Sequence, residues 1–174
     1  RILWTIWSKN LPTRLTPLSG VFNRILSPAG LPITSFCFKT WNARSLFCRD
    51  IGLCRRKCHY LESILRSCDI LLLQESRGNQ QCVDKFLGKI SQEFWIFGSF
   101  LGKNSGGVLT FVRKTLGGLD NMQFEDVVRG RVTRLKISGD NCYQISYNVH
   151  NHELSNTSLS QIETIFLSDL GEVR

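Results

Sequence analysis

An apolar run in this chain ends in two polar side chains. Residues 70–73 are apolar, and Gln74 and Glu75 follow at once in the stretch DILLLQES. A carboxylate at the end of a buried strand suits a divalent cation, because Mg²⁺ prefers oxygen ligands and commonly takes one or two carboxylates. The alternative is a surface carboxylate that begins the loop ESRGN. Glu75 is therefore the first candidate for chemistry.

Asn42 is the second candidate, because it closes the preceding apolar stretch, in TWNARSL. Its amide oxygen offers a ligand atom without adding charge. A lone asparagine in such a place is more often a turn or cap residue. The candidacy of Asn42 therefore depends on that of Glu75.

Hydrophobic periodicity predicts the elements that position these residues. Strands are predicted over residues 33–41, 70–73, 94–102, 106–114 and 142–151, and helices over residues 49–67, 80–94 and 158–170. The stretch at 127–137 belongs to a meander of strands before the last helix. This order predicts a mixed α/β (α+β) fold in which helices cover a sheet.

The predicted strand at 142–151 alternates between two kinds of side chain. Apolar and aromatic side chains should share one face, namely Tyr143, Ile145, Tyr147 and Val149. Polar side chains should share the other, namely Gln144, Ser146, Asn148 and His150. Tyr147 and His150 therefore lie on opposite faces unless the strand bends.

Composition places the chain among globular domains. It has 174 residues, of which 42% are hydrophobic and 21% charged, and no apolar run is long enough to span a bilayer. Residues 1–32 contain all four prolines and no acid, so we expect a poorly ordered leader or linker there and a domain over 33–174. The net charge of +8 is compatible with nucleic acid, or with a plain solvated surface.

The seven cysteines favour core packing over a special site. Cys54, Cys58, Leu61, Leu65 and Cys68 recur at helical spacing and form one apolar face. Cysteine behaves there as a small hydrophobe. Zinc binding by Cys48, Cys54, Cys58 and His59 is the alternative, although the spacings are not those of a zinc finger.

Several motifs in order resemble the first half of the endonuclease/exonuclease/phosphatase superfamily. They are TWNARSL, DILLLQES, SGGVLTFVRK, VVRGRVTRLKI and ISYNVHN. Within that superfamily they are most similar to the apurinic-endonuclease-like nucleases of LINE-type retrotransposons. The resemblance covers roughly residues 33–170 and implies part of a four-layer α/β sandwich, truncated before its second half.

The resemblance implies that Asn42 and Glu75 help to hold a divalent cation, Mg²⁺ or alternatively Mn²⁺. Such a cation polarises the scissile phosphate and stabilises charge on its oxygens. In this family a tyrosine and an asparagine or histidine near the end of a later strand contact the phosphate. One register gives these positions to Tyr147 and His150; the other gives the second position to Asn151 and leaves Asn148 in place of the tyrosine. We prefer the first, since His150 can donate to a phosphate oxygen, with core packing as the alternative for Tyr147.

Two further features bear on activity. Arg129, Arg131 and Arg134 either line a DNA-facing edge or form the solvated face of a strand. The D-x-N and S-D-H motifs that the family carries later are absent from these residues, and SDL at 168–170 lies in a predicted helix without a histidine. General-base catalysis contributes roughly 10²–10⁴-fold in rate. We therefore expect little or no nuclease activity from these residues alone.

The resemblance implies a fragment of a metal-dependent phosphodiesterase, foremost a DNA endonuclease of retroelement origin that nicks one strand by hydrolysis. Its partner would be DNA and not a membrane. Its location would be nuclear or cytoplasmic rather than secreted. Two alternatives are a superfamily phosphatase that acts on a phosphorylated small molecule or lipid, and a catalytically inactive fragment or interaction module.

Overall fold

The computed structural model describes residues 2–3, 18–20, 37–102, 105–139, 143–150 and 154–171. Nine strands lie within these ranges: β1 Ile2–Leu3, β2 Leu18–Gly20, β3 Phe38–Asn42, β4 Ile70–Gln74, β5 Phe94–Ser99, β6 Val108–Arg113, β7 Met122–Val128, β8 Val132–Ser138 and β9 Tyr143–Val149. Four α-helices accompany them: α1 Ile51–Leu65, α2 Gln80–Leu87, α3 Ile90–Glu93 and α4 Asn156–Gly171. Two short 3₁₀ turns, Lys114–Leu116 and Leu119–Asn121, lie between β6 and β7.

The strands form two sheets. The first has the order β2-β3-β4-β6-β5, in which β3 and β4 are parallel and β6 is antiparallel to both of its neighbours. The second has the order β1-β9-β8-β7, a meander of antiparallel pairs with β1 added parallel to β9. A right-handed crossover through a helix is the usual way to join parallel strands such as β3 and β4, and α1 lies in that connection.

The two sheets pack face to face and helices cover the outside, so the layers follow the order helix, sheet, sheet, helix. One core cluster lies between α1, α2 and the first sheet, with Leu61, Leu73 and Phe111 fully buried. A second cluster lies between the sheets, where Ile70 and Leu72 meet Leu135. Helix α4 packs on the far face of the second sheet through Phe166, whose ring lies against Tyr147. The predicted α+β class is thereby confirmed.

Helix caps explain where α1 and α2 begin. The Asp50 carboxylate accepts from the Leu53 N–H at 2.9 Å, and the Asn79 side chain accepts from the Cys82 N–H at 3.1 Å. Each cap satisfies a backbone donor that the first helical turn leaves unpaired. Both caps follow a loop that leaves the end of a strand, so they also fix the direction in which the chain departs from the sheet.

The prediction of a single helix over residues 80–94 is wrong. The chain forms α2, breaks at Gly88 and resumes as the four-residue α3 before β5 begins at Phe94. Glycine disfavours a helix interior by about 1 kcal/mol relative to alanine, and Phe94 is already buried as a strand residue.

Most other elements lie close to their predicted positions, although the stretch at 127–137 is divided between the end of β7 and β8. The last helix begins two residues earlier than expected and ends one residue later. The first predicted strand is shorter: β3 begins at Phe38, and residues 33–36 lie outside the described ranges, as does most of the predicted leader at 1–32.

The predicted cysteine face of α1 is confirmed as core. Cys54, Cys58 and Cys68 are all buried. Burial raises the pKa of the Cys58 thiol to about 12 and that of Cys68 to about 12. Both side chains are therefore neutral thiols at physiological pH.

None of the helices in the described ranges has the length and apolar character needed to cross a bilayer.

Candidate active site

The candidate residues lie at one edge of the sandwich, where several strand ends meet. Strands β3 and β4 run in parallel with Asn42 opposite Gln74, so both end at this edge. Strand β6 runs the other way and begins here, after Gly106 and Gly107. Strand β9 ends beside it, and His150 follows directly. The fold thus brings residues from distant parts of the chain together.

Backbone hydrogen bonds join the loops at this edge in a continuous series. The amides of Ala43, Ser45 and Phe47 donate to the carbonyls of residues 74–76. The amides of Ser76 and Arg77 donate in turn to Gly107 and Gly106. The series continues from the Gly107 amide to the Gly130 carbonyl at 3.0 Å. These hydrogen bonds fix the loops to one another and to the strand ends. The side chains on the loops therefore have defined positions.

Lys57 of α1 fixes the first of these loops. Its Nζ donates to the carbonyls of Ala43, Arg44 and Ser45 at 2.9, 2.5 and 2.9 Å. A three-residue turn whose carbonyls converge on one ammonium group keeps a defined conformation, because each carbonyl is satisfied at once. Asn42 immediately precedes this turn and is positioned by it.

The non-glycine residues with positive φ in the described part of the chain all lie in two of these loops. They are Arg44, Ser45, Glu75 and Arg77, with φ between 44° and 70°. Such conformations cost of order 1 kcal/mol or more each and persist only where the surroundings impose them. Strained backbone of this kind gathers at functional sites, which supports a role for Glu75 beyond a surface loop.

The structure brings Asn42, Glu75 and His150 into contact. The Asn42 Nδ2 donates to Glu75 Oε1 at 2.8 Å, and His150 Nε2 lies 3.3 Å from the same oxygen. The Asn42 Oδ1 accepts from the Arg44 N–H at 3.0 Å, which fixes the orientation of the amide. Glu75 is held by its backbone as well, because its carbonyl accepts from Ser45 and Leu46.

These contacts keep Glu75 ionised. The hydrogen bond from His150 lowers the pKa of Glu75 to about 2, and the bond from Asn42 acts in the same direction against partial burial. The carboxylate is therefore negative throughout the physiological range. It keeps 30% of its side-chain surface exposed, so solvent and ligands reach it.

Two buried amide side chains, Gln74 and Asn148, lie between the sheets next to the site. The Gln74 Nε2 donates to Asn148 Oδ1 at 2.7 Å, which connects the two sheets. The Asn148 Nδ2 donates to the Leu73 and Leu109 carbonyls at 3.2 and 2.9 Å. The polar face of β9 is thus buried against the first sheet, and at Asn148 a neutral amide makes the hydrogen bonds there without adding charge.

Tyr147 lies away from Glu75, on the opposite face of β9. Its hydroxyl donates to Asp169 Oδ2 of α4, and burial raises its pKa above the ordinary value. Asp169 also accepts from Arg134 Nε at 2.9 Å. The structure therefore joins His150 to Asn42 and Glu75 but does not bring Tyr147 to them. Asn151 lies outside the described residues, and its role stays a prediction.

Sequence patterns alone did not distinguish Arg131 and Arg134 from Arg129, and they assigned no role to Asp169. Arg131 is buried against His150, and Arg134 and Asp169 pair beneath α4. Ile162, Phe166 and Asp169 recur at helical spacing on α4, so an acid in an apolar stripe was the available signal. No comparable signal marked Arg131, since its neighbours at 129 and 134 have the same side chain.

The residues present fit a divalent cation that keeps several waters. The contacts of the Glu75 carboxylate described above fall on Oε1, and the Asn42 oxygen retains a second lone pair. Within the residues that the structure describes, no group of three His, Cys, Asp or Glu side chains could hold a metal. Mg²⁺ accepts such an incomplete set, because substrate phosphate and water complete its shell.

Similarity between this chain and known proteins is found at the level of structure. No family model matches the chain, and no curated protein matches its sequence. The crystal structure of AP endonuclease LMAP from Leishmania major matches with a TM-score of 0.45 and 17% identity, over 71% of this chain and 43% of that one. The chain spans less than half the length of that structure. The fold assignment above rests on the two sheets and their helices.

Proposed function

We propose that these residues form part of a divalent-metal-dependent phosphodiesterase that acts on DNA. The observation that carries the proposal is the meeting of Asn42, Glu75 and His150 at one edge of the sandwich. An ionised carboxylate, an amide and an imidazole at strand ends suit a cation and a phosphate together. The retroelement origin of the enzyme is supported by the sequence motifs alone.

Glu75 holds the cation in this proposal, and Asn42 orients its carboxylate. When bound, Mg²⁺ or Mn²⁺ supplies a Lewis acid that polarises a phosphate oxygen. Glu75 is suited to this because its pKa of about 2 leaves no proton to displace. The strained loop and the hydrogen bonds from Ser45 and Leu46 hold its backbone in place before any ligand arrives.

Arginines around the site favour DNA as the substrate. Arg44 and Arg77 are exposed, and they lie two residues after Asn42 and Glu75 respectively. Arg129 is also exposed and donates from Nε to the Phe100 carbonyl at 3.2 Å. Guanidinium groups suit phosphate oxygens, and a polyanion meets several of them at once. A small phosphorylated molecule would use fewer.

The test measures binding to a short DNA duplex with and without Mg²⁺ at constant ionic strength. We expect Mg²⁺ to strengthen binding several-fold, because the cation joins Glu75 to a backbone phosphate. Glu75→Gln should remove this gain and leave the metal-independent affinity. Glu163→Gln is the matched control, since Glu163 is an exposed carboxylate on α4 at the opposite side of the sandwich.

Two outcomes would contradict the proposal. Mg²⁺ without effect on wild-type binding would favour an interaction module over an enzyme-derived site. A gain that survives Glu75→Gln would move the cation to other residues. Binding is preferred to hydrolysis as the readout because the sequence predicts little turnover by these residues alone.

A further inference from the structure

The three arginines near β8 have three different environments. Arg129 is exposed and contacts the Phe100 carbonyl, whereas Arg134 lies on the far face and pairs with Asp169. Arg131 is buried, with 7% of its surface exposed, at the edge that carries Glu75. Burying a cation costs free energy unless the cation is paired with an opposite charge or hydrogen-bonded to acceptors. Arg131 is thus the arginine whose position calls for an explanation.

Arg131 contacts His150 at two points. The His150 backbone N–H donates to the Arg131 carbonyl at 2.7 Å, and Arg131 Nη1 lies 2.9 Å from His150 Nδ1. Arg131 is itself fixed, since its N–H donates to Val128 at 2.8 Å. Its guanidinium also lies close to Gly106, where an added Cβ would come within 3.4 Å of Cζ. Together these contacts define the backbone position and the ring orientation of His150.

The chemistry of the pair determines which ring nitrogen carries hydrogen. A guanidinium group can donate hydrogen bonds but has no acceptor atom. His150 Nδ1 must therefore accept from Arg131, which places the ring hydrogen on Nε2. That assignment also suits Glu75 Oε1, an acceptor that lies 3.3 Å from Nε2. The three residues form a directed series from Arg131 through His150 to Glu75.

We propose that Arg131 is a positioning residue that holds His150 as the tautomer with hydrogen on Nε2. His150 then presents a hydrogen-bond donor at the site. Its one acceptor nitrogen is occupied by Arg131, so it does not take a proton from attacking water. Its single Nε2 hydrogen faces Glu75 Oε1 in this structure. Its role is to donate that hydrogen to an oxygen of a substrate phosphate instead when one binds, a part of the inference that rests on the proposed function.

The tautomer is measured by ¹⁵N NMR of the imidazole nitrogens in metal-free protein at pH 8. The chain has three histidines, so His59→Gln and His152→Gln together leave His150 as the only ring. We expect a protonated-type shift at Nε2 and an unprotonated-type shift at Nδ1. Arg131→Met should collapse this difference toward an average of the two tautomers, and Arg131→Lys, which restores a donor, should recover much of it.

Arg129→Met is the matched control, because it removes an exposed arginine two residues away and should leave the His150 shifts unchanged. Hydrogen on Nδ1 in the His59→Gln, His152→Gln background with Arg131 intact would overturn the proposal, and that measurement does not require an Arg131 variant to fold. An unchanged tautomer in a folded Arg131→Met variant would also overturn it. Since no cation or DNA is present, a failure here is separate from a failure of the Mg²⁺ test, which overturns the proposed function.

Discussion

At the scale of single residues, Glu75 connects the site to the stability of the fold. Its pKa falls from 4.5 to about 2 on folding, chiefly through His150. The unfolded state therefore binds more protons in this interval. The stabilisation is fully present above pH 4.5 and is lost as the pH falls through 2.

We expect the free energy of unfolding of the wild type to fall more steeply between pH 4.5 and 2 than that of Glu75→Gln, which has no carboxylate to protonate. Urea unfolding at a series of pH values measures this. Glu163→Gln should follow the wild type. Parallel curves for the wild type and Glu75→Gln would show that the contacts of Glu75 do not favour its charged form.

Gly107 is required by both its conformation and its surroundings. Its φ is +87°, and an added Cβ would lie 2.4 Å from the buried Ser76 Oγ and 3.1 Å from the Arg77 amide nitrogen. We expect Gly107→Ala to destabilise the protein by about 2 kcal/mol and to weaken binding at Glu75. Gly118→Ala is the control, since no atom lies within 4 Å of its Cβ position. Equal stabilities by thermal unfolding would contradict this account.

The positions of single residues could be predicted from the sequence where a strand end determined them, whereas their roles remain predictions. Asn42 ends β3, and Glu75 directly follows its parallel neighbour β4, so their proximity follows from the order of the elements. The three arginines at 129, 131 and 134 could not be distinguished. Their environments depend on the turn before β8 and on α4, which packs against the sheet from far along the chain.

At the scale of elements, α4 is joined to the second sheet by a buried polar cluster. Asp169 is 1% exposed and accepts hydrogen bonds from Tyr147 and Arg134. Arg134 also pairs with the more exposed Glu125 at 3.5 Å. The Asp169 contacts raise the pKa of Arg134 further above its usual range. The cluster stabilises the position of α4 and faces away from the candidate site.

Asp169→Asn should destabilise the protein by about 3 kcal/mol, because it leaves the Arg134 charge buried without its main partner. Glu125→Gln is the control and should change the free energy of unfolding by less than about 1 kcal/mol, as is usual for an exposed pair. Denaturant unfolding of both variants tests this. Losses of the same size would show that Asp169 is no more important than a surface carboxylate.

Elements were predicted best where the pattern was purely apolar. The cysteine-containing face of α1 and the buried run of β4 lie where periodicity placed them. The helix over 80–94 was extended too far, because its apolar spacing continued past Gly88 into residues that the first sheet takes as β5. The alternation of β9 was predicted, but the burial of both of its faces required knowledge of the other sheet.

At the scale of the whole molecule, the sandwich presents its basic loops and its candidate site at the same edge. Arg44 and Arg77 follow the carboxyl ends of β3 and β4. Arg66 is also exposed but caps the far end of α1, next to the start of β4. The net charge of +8 alone does not indicate where DNA would bind. If the protein binds DNA as proposed, the position of the loops favours contact at this one edge.

We expect Arg44→Met and Arg77→Met each to reduce the salt dependence of DNA binding. The slope of the logarithm of affinity against the logarithm of salt concentration should fall by about 1 for each lost phosphate contact. Arg66→Met should leave the slope unchanged. Fluorescence anisotropy over a salt series measures the slope. Slopes equal to that of the wild type in all three variants would place the DNA elsewhere on the surface.

Titration with Mn²⁺, followed by electron paramagnetic resonance, tests most directly whether Glu75 belongs to a cation site. Free Mn²⁺ gives the signal, so binding is read from its loss without any substrate or turnover. We predict one site in the wild type, competed by Mg²⁺, at least tenfold weaker in Glu75→Gln and unchanged in Glu163→Gln. Equal Mn²⁺ binding by the wild type and Glu75→Gln would contradict the account.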